Sequence, residues 1–223
     1  SPATVALLSA AAIVGREFSV PVLSEVAGVT PSRIAEALDE ACSADILEPA
    51  APGRHRFSHV LVAESLVQDT PPESRMRRCR ATAEVLERLH AEDPEAPWGD
   101  IAEHYHRAGP EASQHASRTA VRAAEQAMQR LAFEDGAAWF GRALGFLDVA
   151  APGDARGRGE LLLRLAEAQL HAGARDAALS ACTKAADLAR HLGLGELLAR
   201  AALTLGGEAR TGVSDSALVA MLD

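Results

Sequence analysis

Apolar residues follow two rhythms along this chain. Over residues 4–14, TVALLSAAAIV, they run almost unbroken to Gly15, which predicts a short buried helix. GREFSVPVL then turns into a second short helix closing at Gly28. Thr30 stands where an N-cap belongs and Pro31 suits the first helical position. Ile34, Ala35, Leu38 and Ala41 recur at the spacing of one buried face, so a third helix is predicted to about Ala44. DILEPA and HRFSHV are short apolar runs around Pro52-Gly53, the pattern of two strands and a tight turn. Three short helices followed by a hairpin is the order of a winged helix, predicted here for residues 1–70.

From Val60 onward the period is helical almost throughout. Breaks fall at Thr70-Pro71-Pro72, Asp93 to Pro97, Gly109-Pro110, Pro152-Gly153, Gly173, Gly193 and Gly206-Gly207. The intervals have the length of antiparallel helix hairpins. Leu165, Ala166, Gly173, Ala178 and Ala185 fall where a tetratricopeptide (TPR) repeat wants a packed leucine, small contact residues and a turn glycine. Phe133, Gly136, Phe140, Ala143 and Leu144 match its second helix. Ala143 and Ala185 lie 42 residues apart, against about 34 for a regular TPR. The expected fold is therefore mainly α, a winged helix with a small β-hairpin followed by a TPR-like α-solenoid over 71–223, with more repeats downstream. A plain helical bundle is the alternative, since small residues recur in any close helix pair.

Composition narrows the partners. The chain is 48% hydrophobic and only 4% aromatic, and its abundant alanine lets helix axes approach closely. A net charge of −9 disfavours nucleic acid and anionic membrane as general partners. Residues 1–70 carry four arginines against nine acids, and the third helix offers Arg33 alone against Glu36, Asp39 and Glu40. Direct DNA binding is thus not expected of it. The run from Val5 to Val14 is too short to span a bilayer and lacks a basic lead, so neither a membrane span nor a signal peptide is expected. Cys42, Cys79 and Cys182 lack metal or disulfide spacing and fit a reducing cytoplasm. The chain opens on Ser1, which fits an internal segment of a longer protein.

Candidate chemistry is sparse. There is no G-x-x-x-x-G-K-[ST], and the single lysine, Lys184, lies in a helical T-K-A-A context, so no ATP hydrolysis is expected of this segment. G-x-S-x-G, H-E-x-x-H and G-x-G-x-x-G are likewise absent, and no catalytic residue is assigned. His104 and His106, beside Glu103, are two apart on a helix and point away from each other, which argues against a shared metal. Arg75, Arg77, Arg78 and Arg80 invite a phosphate, yet Glu73, Glu84 and Glu87 fit a solvated helix face equally well.

The succession AAIVGREFSVPVLSEVAGV, ALDEACSADILEPA, RHRFSHVLVAESLV, IAEHYHRAG and LAFEDGAAWFGRALGFL resembles the arm that follows the ATPase core in bacterial STAND regulators. Such arms occur in large LuxR-type and antibiotic-pathway transcription regulators and beside some cyclase domains. The closing stretch from Leu197 to Asp223 is similar to a later repeat of that arm. The resemblance implies a non-catalytic sensor arm working with an upstream ATPase module, ATP and ADP being cofactors of the longer protein only. It also implies a protein or small-molecule effector on the helical array. Phe57-Ser58-His59-Val60-Leu61 is similar to the family's hydrophobic-x-His-x-Leu pattern, which implies that His59 contacts the β-phosphate of bound ADP. A helix cap or packing residue is the other reading of His59. An interaction scaffold without nucleotide coupling is the other reading of the whole.

Overall fold

The computed structural model describes residues 1–93 and 95–206. Among these the chain is mainly helical, with one small three-stranded sheet. No described helix is long and apolar enough to cross a membrane. The chain forms two compact units. One comprises Ser1–Ala96 with Glu103–Ala112, and the other Pro97–Ala102 with the described residues from Ser113 onward.

The first unit opens with α1 (Pro2–Val14), β1 (Glu17–Ser19), α2 (Val20–Ala27) and α3 (Pro31–Ser43). It continues with the hairpin β2 (Leu47–Ala51) and β3 (Arg54–Phe57), then α4 (Val60–Asp69) and α5 (Pro72–Leu89). Ser1 caps α1 by accepting the Thr4 N–H at 3.2 Å. Thr30 occupies the N-cap of α3 as expected, but its side chain makes no capping bond, and its hydroxyl faces that of Ser32 instead. Ile34, Leu38 and Ala41 are buried, whereas Ala35, expected on the same face, is exposed. Ala37 and Cys42 flank the buried stripe in its place.

The sheet has a strand that the sequence pattern did not predict. β1 pairs antiparallel with β3, which also pairs antiparallel with β2, in the order β1-β3-β2. One face carries the ion pairs Arg54–Glu17 and Arg56–Glu48, each at 2.6 Å. The other turns Phe18, Leu47 and Phe57 into a core shared with Leu8, Ala11, Leu23, Ile34 and Leu38. β3 is shorter than the predicted returning strand and ends at Phe57. The Ser58 N–H still reaches the Ile46 carbonyl at 3.0 Å before the chain turns into α4.

Helix α6 (Trp98–Arg107) contributes residues to both units. The second unit continues through α7 (Ser113–Gln129), α8 (Phe133–Ala150), α9 (Ala155–His171), α10 (Arg175–Leu192) and α11 (Gly195–Gly206). Each helix from α7 to α11 packs on the next, and α11 also touches α9. The two hairpins α7–α8 and α9–α10 are copies in length: Ser113 to Ala155, and Phe133 to Arg175, are each 42 residues, and the helix ends keep the same offset.

The turns agree bond for bond. Leu131 N–H reaches Met128 O at 3.0 Å and Ala132 N–H reaches Ala127 O at 2.9 Å. At the same offset Gly173 N–H reaches Leu170 O at 2.9 Å and Ala174 N–H reaches Gln169 O at 2.8 Å. This turn requires a left-handed residue, which is Gly173 (φ 76°) in one copy and Leu131 (φ 61°) in the other. The α7–α8 break therefore carries neither glycine nor proline, and the sequence pattern did not predict it.

Small residues set the helix spacing. Ala124 and Ala166, and Ala143 and Ala185, are matched pairs at the 42-residue offset, and all four are fully buried. Gly136 lets α8 approach α7 so closely that an added Cβ would lie 2.8 Å from the Met128 sulfur. The period reaches back to Trp98, which is 42 residues before Phe140: the Arg122 guanidinium lies 4.1 Å over the Trp98 ring, and that of Arg164 lies 4.8 Å over Phe140. The further repeat expected beyond residue 206 lies outside the described residues.

Candidate functional site

His59 is presented by the junction of β3 and α4. Phe57 anchors the end of the strand, fully buried and 6.0 Å from Phe18 between ring centroids, and its N–H donates to the Arg16 carbonyl at 3.0 Å. Two residues later the backbone is extended, with φ −128° and ψ 125°, and His59 becomes the N-cap of α4. Its carbonyl accepts the Val62 N–H at 3.1 Å. Its imidazole makes no capping bond and has no hydrogen-bond partner among the described residues. The helix-cap reading of His59 thus holds for its backbone and not for its ring.

The exposure of this junction follows from the pattern in α4. Ala63 is buried, and Val62, Leu66 and Val67 pack against the core. That face fixes the helix rotation and turns His59, Val60 and Leu61 outward, Leu61 being 72% exposed. An exposed imidazole beside the opening turn of a helix has the chemistry to meet an anion. One nitrogen of the neutral ring can donate, and first-turn N–H groups carry the positive end of the helix dipole.

The other sequence candidates do not converge. His104 is buried, its Nε2 lying 3.2 Å from the Val14 carbonyl, whereas His106 on the same helix is exposed. Of the four arginines of α5, Arg80 pairs with Glu84 at 2.9 Å and Arg77 donates to the Ser74 hydroxyl at 3.0 Å. Arg75 reaches toward the Val67 carbonyl, and Arg78 faces a groove beside α1 and α3. Arg75, Arg77 and Arg80 serve separate local partners, and the four form no common phosphate cradle.

On α3, Glu40 accepts from the Thr4 hydroxyl and the Ser1 ammonium, and these bonds, the ammonium first, hold its carboxyl below its ordinary range. All three cysteines are free thiols. Cys42 is half-buried and Cys79 and Cys182 are buried; burial, with a smaller contribution from Glu167, pushes the Cys182 thiol up to about 11.

Two features of interest escaped the sequence reading. The groove at Arg33 and Arg78 unites residues 45 positions apart on different helices, and no spacing rule reports that. The paired contacts of Arg122 with Trp98 and Arg164 with Phe140 did leave a signal, an arginine 24 residues after an aromatic ring, twice, at one 42-residue offset. Set against models of known families, against curated proteins and against solved structures, the chain has no match.

Proposed function

We propose that this chain is the regulatory and sensor arm of a nucleotide-switched signalling or transcription regulator of the STAND class, acting in the cytoplasm without catalysis of its own. Residues 1–70 form a winged-helix module on this reading. The order α1-β1-α2-α3-β2-β3 and the antiparallel sheet β1-β3-β2 support it. The acidic surface of α3 argues for a protein-facing role in place of DNA reading.

The observation that carries the proposal is the outward imidazole of His59, held in extended backbone at the opening of α4 with no partner among the described residues. It would donate to the β-phosphate of ADP bound by an upstream ATPase module, and so report nucleotide state to the TPR-like array of residues 71–223. The array would receive the protein or small-molecule effector. Coupling of this kind requires that the two nucleotide states bind the arm with different free energy.

The test joins the arm to its natural upstream module and measures ADP release. His59→Ala should speed release about tenfold, the worth of one hydrogen bond to a charged oxygen. Release unchanged by the substitution removes the sensor role.

The second reading, an interaction scaffold without nucleotide coupling, is favoured by the 42-residue hairpins, which make a surface that needs no nucleotide to form. A phosphate-loop motif within about 300 residues upstream decides for the sensor arm, and its absence decides for the scaffold.

A further inference from the structure

The 42-residue period repeats an arginine over an aromatic ring, but completes its ion pair only once. Arg164 of α9 lies over Phe140 and also holds the carboxylate of Glu125 on α7. One offset earlier Arg122 lies over Trp98, 4.1 Å from the ring centroid, but the sequence has Ala83 at the position that answers to Glu125. Arg122 is exposed and has no carboxylate partner among the described residues, while the ring beneath it is buried. Nearby acids are turned away or engaged. Glu125 is held by Arg164, Glu160 is held by Arg156, and Asp100, two residues past Trp98, lies about 200° round α6 from it. Glu167 is exposed without such a partner, but it stands beyond Arg164 on α9. All these groups are side chains inside the chain, so their charges are the same whatever flanks the segment.

We propose that Arg122 anchors an acidic segment of a partner protein, a glutamate or aspartate carboxylate taking on Arg122 the place that Glu125 takes on Arg164. The proposal rests on the helical array as the receiving surface and not on His59. Trp98 holds the guanidinium by its face, which leaves the N–H donors along its edge for the two oxygens of a carboxylate. A side chain already ordered on a ring loses less freedom on binding than a free arginine does. Because Trp98 is covered, its face is not open to stack a nucleobase, which favours a peptide carboxylate over single-stranded nucleic acid. The net charge of −9 repels an acidic partner in general, so attraction has to come from this local group.

Titration calorimetry on the 223-residue chain tests this with short peptides alternating Ala with Glu, Gln or Lys, and with a single-stranded oligonucleotide matched in charge to the Glu peptide. The Glu peptide should bind at one site per chain and shift the tryptophan emission. The other probes should bind at least about fivefold more weakly, the upper end of what one exposed ion pair contributes. Arg122→Gln should weaken the Glu peptide by about the same factor, and Arg122→Lys by less, since it keeps the charge without the fork. Glu125→Gln releases Arg164 as a second acceptor of the same kind and should tighten binding about fivefold. Arg77→Gln, on α5 and bonded to the Ser74 hydroxyl, should change nothing. Variants are compared at matched thermal midpoints; if Arg122→Gln fails to match, the Glu125→Gln result decides. Absence of Glu-peptide binding, equal binding of the Gln peptide or the oligonucleotide, indifference to Arg122→Gln, no tightening with Glu125→Gln, or an equal loss with Arg77→Gln would each overturn the proposal. No nucleotide is present, so each of these results leaves ADP release as a separate test of the His59 reading.

Discussion

Leu131→Gly should make the protein more stable, although it removes a leucine. Leu131 is held at φ 61°, where a side chain crowds its own carbonyl, at a cost of about 1–2 kcal/mol. It is 72% exposed, so its side chain gives little burial in return. Glycine relieves the crowding but loses more backbone freedom on folding, which costs ~0.5–1 kcal/mol. The difference is a net gain of about 0.5–1 kcal/mol. The matching turn supplies the reverse experiment: Gly173 has φ 76°, and Gly173→Ala should lose about as much as Leu131→Gly gains.

Trp98 and Trp139 both lie in the second unit, so urea unfolding followed by tryptophan fluorescence reads the relevant transition. With a slope near ~2 kcal/mol per molar urea, the midpoint should rise by about 0.3–0.5 M at unchanged slope. Leu131→Ala keeps the Cβ and should give almost none of this gain. A Leu131→Ala gain equal to that of Leu131→Gly, or a neutral Gly173→Ala, would refute the backbone argument.

Other outcomes follow from burial and charge. Phe57→Ala empties a fully buried site and should cost ~3–5 kcal/mol; amide exchange should rise through Leu47–Phe57 well above that in α9 and α10, and a uniform rise would contradict the assignment of Phe57 to the first core. At pH 8 an aromatic disulfide reagent should leave Cys79 and Cys182 unlabelled in the native protein, since burial raises both thiols, Cys182 to about 11; rapid labelling of either contradicts its placement. In the 223-residue chain with a free Ser1 ammonium, that ammonium and the Thr4 hydroxyl hold the carboxyl of Glu40 below its ordinary 4.5, so its contribution is complete above that pH and lost as pH falls through the lower folded value. Glu40→Gln should therefore flatten the acid limb of thermal stability in that window, and identical limbs in both proteins would dismiss the interaction.

How far these features were legible in the sequence depended on whether one residue carried the signal. Gly28, Gly173, Gly193 and the proline pairs end helices by their own backbone preferences, and the breaks they mark are where the structure has them. The break at Leu131 is enforced by the packing of α8 on α7, visible only once Gly136 and Met128 are placed together. β1 has three residues, too few to show alternation, and exists because β3 offers it an edge. Ala35 was assigned to the buried face because alanine is apolar, but a lone methyl is indifferent to exposure, and the rotation of α3 is decided by Ile34 and Leu38. His59 could be singled out from F-S-H-V-L, while its outward direction comes from Ala63 and Leu66 further along the helix. The Arg33 and Arg78 groove had no such local signature.

The equal lengths of the two hairpins give the array a unit of exchange. Because α9 starts and ends where α7 does, one offset later, excising Ser113–Asp154 would join Ala112 to Ala155 with every helix boundary downstream still in phase. A cut of any other length would shift Ala178 and Ala185 off the positions that Gly136 and Ala143 occupy in the first copy, and their methyls are what set the helix spacing. The second unit can therefore be lengthened or shortened as a ruler is, by whole divisions of 42 residues.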